Sequence, residues 1–173
     1  MVFFDELGFR ANYEVDDEPE YPGDGIWDIP EFTIRGTAPV AIVRPHARDP
    51  WLLATKFDSI GGLYATPDPD LLCVLDRGRL PILVDVRDPT RRIALDLAPI
   101  RVASALDEKL LLFAESQRVT AWAADGIRWV SEPVVADDLK FKRTDNGRIV
   151  CVGVDNYEFV EVVLDASTGR PIR

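Results

Sequence analysis

Short runs of apolar and β-branched residues alternate with short polar turns along most of the chain. Runs of this length, bounded by Asp, Asn, Gly or Pro, are typical of β-strands joined by tight turns. Helical spacing of apolar positions is weak throughout, and only residues 3–10 leave a short helix open. The pattern therefore predicts an all-β fold.

The turn-and-strand pattern recurs with a period of 39 residues. Residues 66–74, 105–113 and 144–152 align without a gap, and each starts with a polar turn that leads into an aliphatic run. The same offset places residues 32–34 over the strand of the following unit. Four units of about 39 residues thus cover roughly residues 18–173, and we expect four short antiparallel strands in each.

Two segments of the later units share a more specific pattern. Residues 119–129 and 163–172 each consist of an apolar strand, a short turn that ends in Gly, and an aromatic or aliphatic residue in the next strand. Residues 84–93 depart from it because the glycine is missing. The pattern resembles the blades of β-propeller repeat proteins of the quinoprotein and WD-like type, over roughly residues 60–173.

That resemblance implies a small β-propeller-like fold in which neighbouring four-stranded sheets stack face to face. A β-sandwich or an open barrel of hairpins is the alternative arrangement of the same strands. Because four sheets are few for a closed ring, two treatments of the ends stay open. Either residues 2–4 return to complete the last sheet, or the open edges of the sheets pair in a homodimer.

Acidic residues are concentrated at the start of the chain. The 173 residues include 30 acidic and 20 basic ones, which gives a net charge of −10. Residues 1–31 hold ten acids and one base, whereas residues 32–173 hold twenty acids and nineteen bases. We therefore divide the chain into an acidic N-terminal segment (1–31) and a single all-β repeat domain (32–173). The negative charge argues against a nucleic-acid partner, since phosphate binding needs a basic surface.

The acidic segment is the predicted binding surface. Its carboxylates would attract a basic protein at long range, and an aromatic residue surrounded by charge is typical of a binding hot spot. The predicted partner-binding residues are Asp16, Asp17, Glu18, Glu20, Asp24, Trp27 and Asp28. The function indicated is a non-enzymatic protein-binding module, in its concrete form an immunity-type or regulatory inhibitor. A solvated segment that only keeps the protein soluble is the simpler interpretation.

A second set of acids supports a different class of function. Asp68, Asp107 and Asp145 lie in the repeated turn, where Asp commonly stabilises the turn itself. In a closed ring they would line an acidic mouth. The alternative prediction is therefore a module that binds a small molecule, a sugar or a metal there, or a weak hydrolase.

Other reactive residues carry little chemistry. Cys73 and Cys151 stand 78 residues apart at equivalent strand positions, and we expect buried free thiols there. His46 is the single histidine and lies between arginines in a loop, and no Gly-x-Ser-x-Gly motif is present. We predict no catalytic residue, no metal site and no cofactor.

The expected location is the cytoplasm. No apolar run approaches the roughly 20 residues that span a bilayer, so no membrane partner is predicted. The first residues lack the basic and apolar regions of a signal peptide. Arginine outnumbers lysine sixteen to four, which is typical of a GC-rich bacterial genome.

Overall fold

The computed structural model describes residues 3–20, 22–35, 39–55, 61–76 and 79–172. Across these ranges the chain forms sixteen strands joined by turns and loops, with no helix, so the predicted all-β fold is confirmed. The strands are β1 (Phe4–Asp5), β2 (Tyr13–Asp16), β3 (Glu31–Arg35), β4 (Pro39–Pro45), β5 (Trp51–Thr55), β6 (Gly61–Ala65), β7 (Leu71–Asp76), β8 (Ile82–Asp85), β9 (Arg92–Ala94), β10 (Arg101–Ala105), β11 (Leu110–Ala114), β12 (Val119–Ala123), β13 (Gly126–Val130), β14 (Asp137–Asp145), β15 (Arg148–Asp155) and β16 (Glu158–Asp165). A helix long and apolar enough to cross a membrane is absent from the described ranges.

The strands of the described ranges form four sheets, which we number in the order in which they pack. Sheet I has the order β2-β4-β5-β3, sheet II β1-β6-β7-β8-β9, sheet III β10-β11-β12-β13 and sheet IV β14-β15-β16. Sheets III and IV, and strands β6 to β9 of sheet II, are antiparallel meanders built from consecutive hairpins. Strands β6 to β9 and β10 to β13 are the four antiparallel strands expected for the second and third repeat units, whereas the described part of the fourth unit forms three strands instead of four.

Three apolar clusters hold the sheets in a row. Alternate residues of each strand point to opposite faces, so each inner sheet can pack against two neighbours. Leu53 and Leu72 belong to the cluster between sheets I and II, Leu83 and Phe113 to that between II and III, and Leu112 with residues of sheet IV to the third. No cluster of described residues joins sheets I and IV. The four sheets are therefore an open stack with two end sheets, and none is closed on itself.

Sheet I departs from the predicted repeat. Residues 32–34 belong to β3, which lies at the sheet edge parallel to β5. In the repeat, the strand equivalent to β7 should be the second of four, and in sheet I this second place is occupied by β4. The 39-residue offset fails here because a long connection between β2 and β3 carries the chain across the sheet before β4 begins.

The N-terminal residues take a different course from both expectations. Residues 3–10 form no helix; after β1 the chain turns with positive φ at Leu7 (51°) and Gly8 (81°). Strand β1 pairs in parallel with β6 of sheet II, so it does not complete sheet IV, and the first of the two predicted closures is wrong. Val2 lies outside the described residues. Strands β1 and β2, which belong to the predicted acidic segment, thus lie within sheets II and I.

Candidate functional site

The acidic strap, defined as residues 16–31, connects the two edges of sheet I. Asp16, at the end of β2, pairs with Ile42, which pairs with Leu52, which pairs with Glu31 at the start of β3. These four residues form one row across the sheet, about 14 Å wide at the usual strand spacing. The strap therefore begins at one edge of sheet I and ends at the opposite edge, on the same row of paired residues.

The face of sheet I that points away from sheet II is buried, and we infer that the strap covers it. Trp51 and Leu53 face sheet II. Because side chains alternate along a strand, Leu52 and Ala54 point to the opposite, outer face. Leu52 and Ala54 are nevertheless 0% exposed and Ile42 only 7%. A strap that crosses the row of Ile42 and Leu52 accounts for this burial, since no further sheet lies on that side.

The acids of the strap form no ion pair with any residue that the structure describes. Residues 16–31 contain seven acidic residues and no basic one. In the described part of the chain none of these seven carboxylates forms a salt bridge, whereas seven ion pairs occur between residues 70 and 161. Glu18, Glu20, Asp24 and Asp28 are exposed to solvent. The strap is thus a band of unpaired negative charge on an end face of the stack.

Two of the predicted partner-binding acids accept hydrogen bonds within the chain. Asp17 is half-buried, and its Oδ2 accepts a hydrogen bond of 2.7 Å from the Phe4 backbone N–H. Asp24 Oδ1 accepts one of 3.0 Å from the Ile26 N–H, which closes a local turn. Asp16 is half-buried at the end of β2. The strap therefore offers Glu18, Glu20 and Asp28 as its freely available carboxylates.

An apolar pair lies within the strap. Trp27 is half-buried with its indole nitrogen shielded from solvent, so the side chain fixes the strap to the body. Ile26 beside it is 66% exposed. Sequence reasoning named Trp27 and missed Ile26; Gly25, with φ of +73°, could have signalled a turn that presents the following side chain.

The repeated turns lie side by side at one end of sheets III and IV. A cavity of about 290 Å³ there is lined by Asp107, Glu108, Asp145, Asn146 and Arg148, among others. Two of the three predicted turn acids are thus brought together. Asp145 also pairs with Arg143 at 3.1 Å.

Asp68 lies apart from this cavity. Its carboxylate accepts a hydrogen bond of 3.0 Å from the Asp70 N–H, and its carbonyl accepts one of 2.8 Å from the Thr66 hydroxyl. It is therefore a turn-forming residue. Pro67 and Pro69, on either side of Asp68, line a second groove of about 580 Å³, together with residues of the segment 8–12 and Lys109. The sequence did not predict this groove.

The cysteines and the single histidine lie in different environments. Cys73 and Cys151 are buried free thiols, as predicted, and burial raises the pKa of Cys151 to about 12. Desolvation likewise raises the pKa of Cys73. His46 is exposed. Among the described residues, no three His, Cys, Asp or Glu side chains stand close enough together to hold a metal ion.

No protein-family model matches the sequence, and no curated protein is similar to it. The resemblance of residues 60–173 to propeller blades therefore stays a prediction.

Proposed function

We propose that this protein is a non-enzymatic binding module that engages a basic protein through the acidic strap. The observation that carries the proposal is the band of carboxylates over sheet I, none of which is paired with a described basic residue. Elsewhere in the described chain, seven acids form a salt bridge with an arginine or a lysine. An unpaired band is available to a partner from outside.

The arrangement of the strap suits steered association. Like charges held on one face produce a field that attracts a cationic surface and speeds encounter, and salt weakens this attraction. Ile26 supplies an apolar contact in the middle of the band, and apolar contacts surrounded by charge supply affinity once the partners have met. Trp27 holds the strap in place, so little ordering is needed on binding.

The concrete form of the proposal is an inhibitor of the immunity or regulatory type. Such a protein would cover a basic active site with the strap while the open, propeller-like stack of sheets serves as the rigid support. We place it in the cytoplasm, where free thiols such as those of Cys73 and Cys151 persist.

The test removes charge from the strap without touching its structural hydrogen bonds. The triple variant Glu18→Gln, Glu20→Gln, Asp28→Asn spares Asp17, which binds the Phe4 N–H. The matched control is Asp96→Asn, Glu132→Gln, Asp155→Asn, which alters exposed acids of sheets II to IV and changes the net charge equally. Each protein is used to capture partners from a native lysate at low and at high salt.

The proposal expects one basic protein, captured by the wild type and by the control triple and released by salt. The strap triple should bind this partner at least tenfold more weakly, mainly through slower association. A fourth variant, Ile26→Ser, should speed dissociation instead. Equal capture by the strap triple and the control triple would overturn the proposal, as would capture that does not depend on salt.

The cavity between the repeated turns supports a second candidate function. Carboxylates of Asp107 and Glu108 beside the guanidinium of Arg148 could hydrogen-bond a sugar or another small polar ligand. Thermal unfolding with a panel of sugars, polyamines and divalent cations tests it. A ligand that stabilises the wild type and not the Asp107→Asn variant supports the cavity, and a flat panel counts against it.

A further inference from the structure

Sheet IV ends in a strand that lacks the usual protection of a sheet edge. Natural edge strands are short, bulged or supplied with Lys or Pro, because a bare edge invites another strand. The outer strand of sheet II has three residues, and those of sheets I and III each follow a shift in register. Strand β16 has eight residues, pairs with β15 without a shift, and contains neither Lys nor Pro.

The hydrogen-bonding groups on this edge can be assigned. Among the described residues, the C-terminal segment covers the last part of this edge: Pro171 forms a β-bridge with Leu164, the Asp165 N–H donates to the Arg170 carbonyl at 2.9 Å, and the Ile172 N–H donates to the Val163 carbonyl at 2.7 Å. Val163 therefore points its backbone groups away from β15, and alternate residues of an antiparallel strand do the same. It follows that Phe159 and Glu161 also direct their N–H and C=O outward, and no described residue pairs with those groups.

Exposed aromatic side chains lie at the same edge. Phe159 is 83% exposed, and Tyr157 in the preceding turn is fully exposed. Phe159 stands on the outer face of sheet IV in line with Val154. Exposed apolar residues on a bare edge are typical of an interaction site.

We propose that β16 pairs in antiparallel fashion with β16 of a second copy of this chain, about a two-fold axis through Val160. In this register Phe159 lies opposite Glu161 of the second copy, and the reverse pair follows by symmetry. The outward N–H and C=O groups of these residues then form four hydrogen bonds. Sheet IV becomes half of a continuous six-stranded sheet.

Self-complementarity and charge favour a second copy as the occupant. The register keeps Glu161 away from its own symmetry mate, so no like charges stand opposite each other. Glu161 is held by Lys142 at 2.6 Å, and the aliphatic parts of both side chains can cover Phe159 of the other copy. A basic partner would instead be drawn to the unpaired acids of the strap, at the far end of the stack.

The contact is small, so the dimer should be concentration-dependent. A single strand edge falls below the roughly 1,200 Å² of a stable interface, which indicates a reversible dimer. Sedimentation velocity from about 10 µM to about 1 mM should therefore show a shift from monomer to dimer. Phe159→Lys should weaken dimer formation at least tenfold.

The matched control is Ile127→Lys, at the outer edge of sheet III, where the side chain is 52% exposed. It adds the same charge to a comparable edge and should dimerise like the wild type. A chain that stays monomeric throughout the concentration range would overturn the proposal. So would equal weakening by both variants, which would indicate a general effect of added charge.

Cross-linking tests the register independently of charge. Phe159→Cys and Glu161→Cys chains, mixed under mild oxidation, should form a disulfide-linked heterodimer faster than either forms a homodimer, because a directly opposed pair has a suitable Cα separation. Cys73 and Cys151 are buried and do not compete. Equal rates in the mixed and separate samples, or no cross-link at all, would contradict the proposed register.

Discussion

The two end sheets of the stack differ in how completely their outer faces are buried. Sheet I buries its outer row beneath the acidic strap, so that Leu52 is fully enclosed although no sheet covers it. Sheet IV leaves only part of its outer face exposed: Val150 is 2% exposed, whereas Val152, two residues further along the same strand, is partly exposed. None of the strap acids forms an ion pair with a described residue, whereas three ion pairs lie within sheet IV: Lys140 with Asp138, Lys142 with Glu161 and Arg143 with Asp145.

This difference separates two kinds of interaction at the two ends. Charge that is not neutralised internally acts over a distance and selects a partner of opposite sign. A bare strand acts only at contact and selects another strand. The two proposed partners, a basic protein at sheet I and a second copy at sheet IV, would therefore occupy different ends of the stack and would not compete.

The largest expected effect comes from the outer row of sheet I. Leu52→Ala should lower the free energy of unfolding by about 3 kcal/mol, because a fully buried leucine leaves a cavity when it is truncated. Val152→Ala, on the outer face of sheet IV, should cost about 1 kcal/mol or less, since that side chain is already partly in water. Urea unfolding of both variants measures the difference.

The same pair of variants tests whether the strap encloses the outer face of sheet I. If Leu52→Ala and Val152→Ala cost equal amounts, the strap does not enclose the outer face of sheet I. A third variant, Trp27→Ala, sharpens the result because it loosens the strap without altering the sheet. It should make residues 16–31 more sensitive to protease while cleavage elsewhere is unchanged.

Local pattern was enough to predict the hairpins of sheets II to IV, although not the parallel strand β1 of sheet II or the three-stranded form of sheet IV. Each is a run of consecutive hairpins, and a turn such as residues 66–70 or 106–109 is specified by the residues within it. Sheet I could not be predicted this way. Its order depends on a crossover between two parallel strands, and the 39-residue period carries no information about that connection.

The sequence predicted the negative charge of the candidate site but not the role of each residue in it. Ten acids in the first 31 residues are visible in the sequence, but it does not show that Asp17 is committed to the Phe4 N–H or that Ile26 is exposed. Nor could it show that Asp107 and Asp145 share a cavity while Asp68 does not. Each of these depends on how distant segments pack, which residue patterns do not record.

A smaller effect should appear when the charge of the two end sheets is changed. The strap triple Glu18→Gln, Glu20→Gln, Asp28→Asn should raise the stability of the protein by about 0.5 kcal/mol at low ionic strength, because it relieves repulsion between unpaired acids. Glu161→Gln in sheet IV should lower stability, because it removes the ion pair with Lys142. Both effects should fade at about 1 M salt, where screening is nearly complete. Shifts of the same sign in both variants would show that the two ends do not differ in charge pairing.

The smallest expected effect concerns the pH dependence of sheet IV. Hydrogen bonds from Ser167 and Thr168 lower the pKa of the Asp165 carboxyl, which closes the turn after β16. A carboxyl whose pKa is lower in the folded state contributes stability above its unfolded pKa of about 3.9, and that contribution is lost as the pH falls through the folded value. Asp165→Asn should therefore be less stable than the wild type at pH 7 and should lose less stability on acidification below about pH 4. The measurement is the urea midpoint at several pH values, with Ser167→Ala as the matched variant that keeps the carboxyl and removes one donor. Ser167→Ala should shift the urea midpoint in the same direction as Asp165→Asn, but by a smaller amount. A pH profile of Asp165→Asn that parallels that of the wild type would contradict the role assigned to the Asp165 carboxyl.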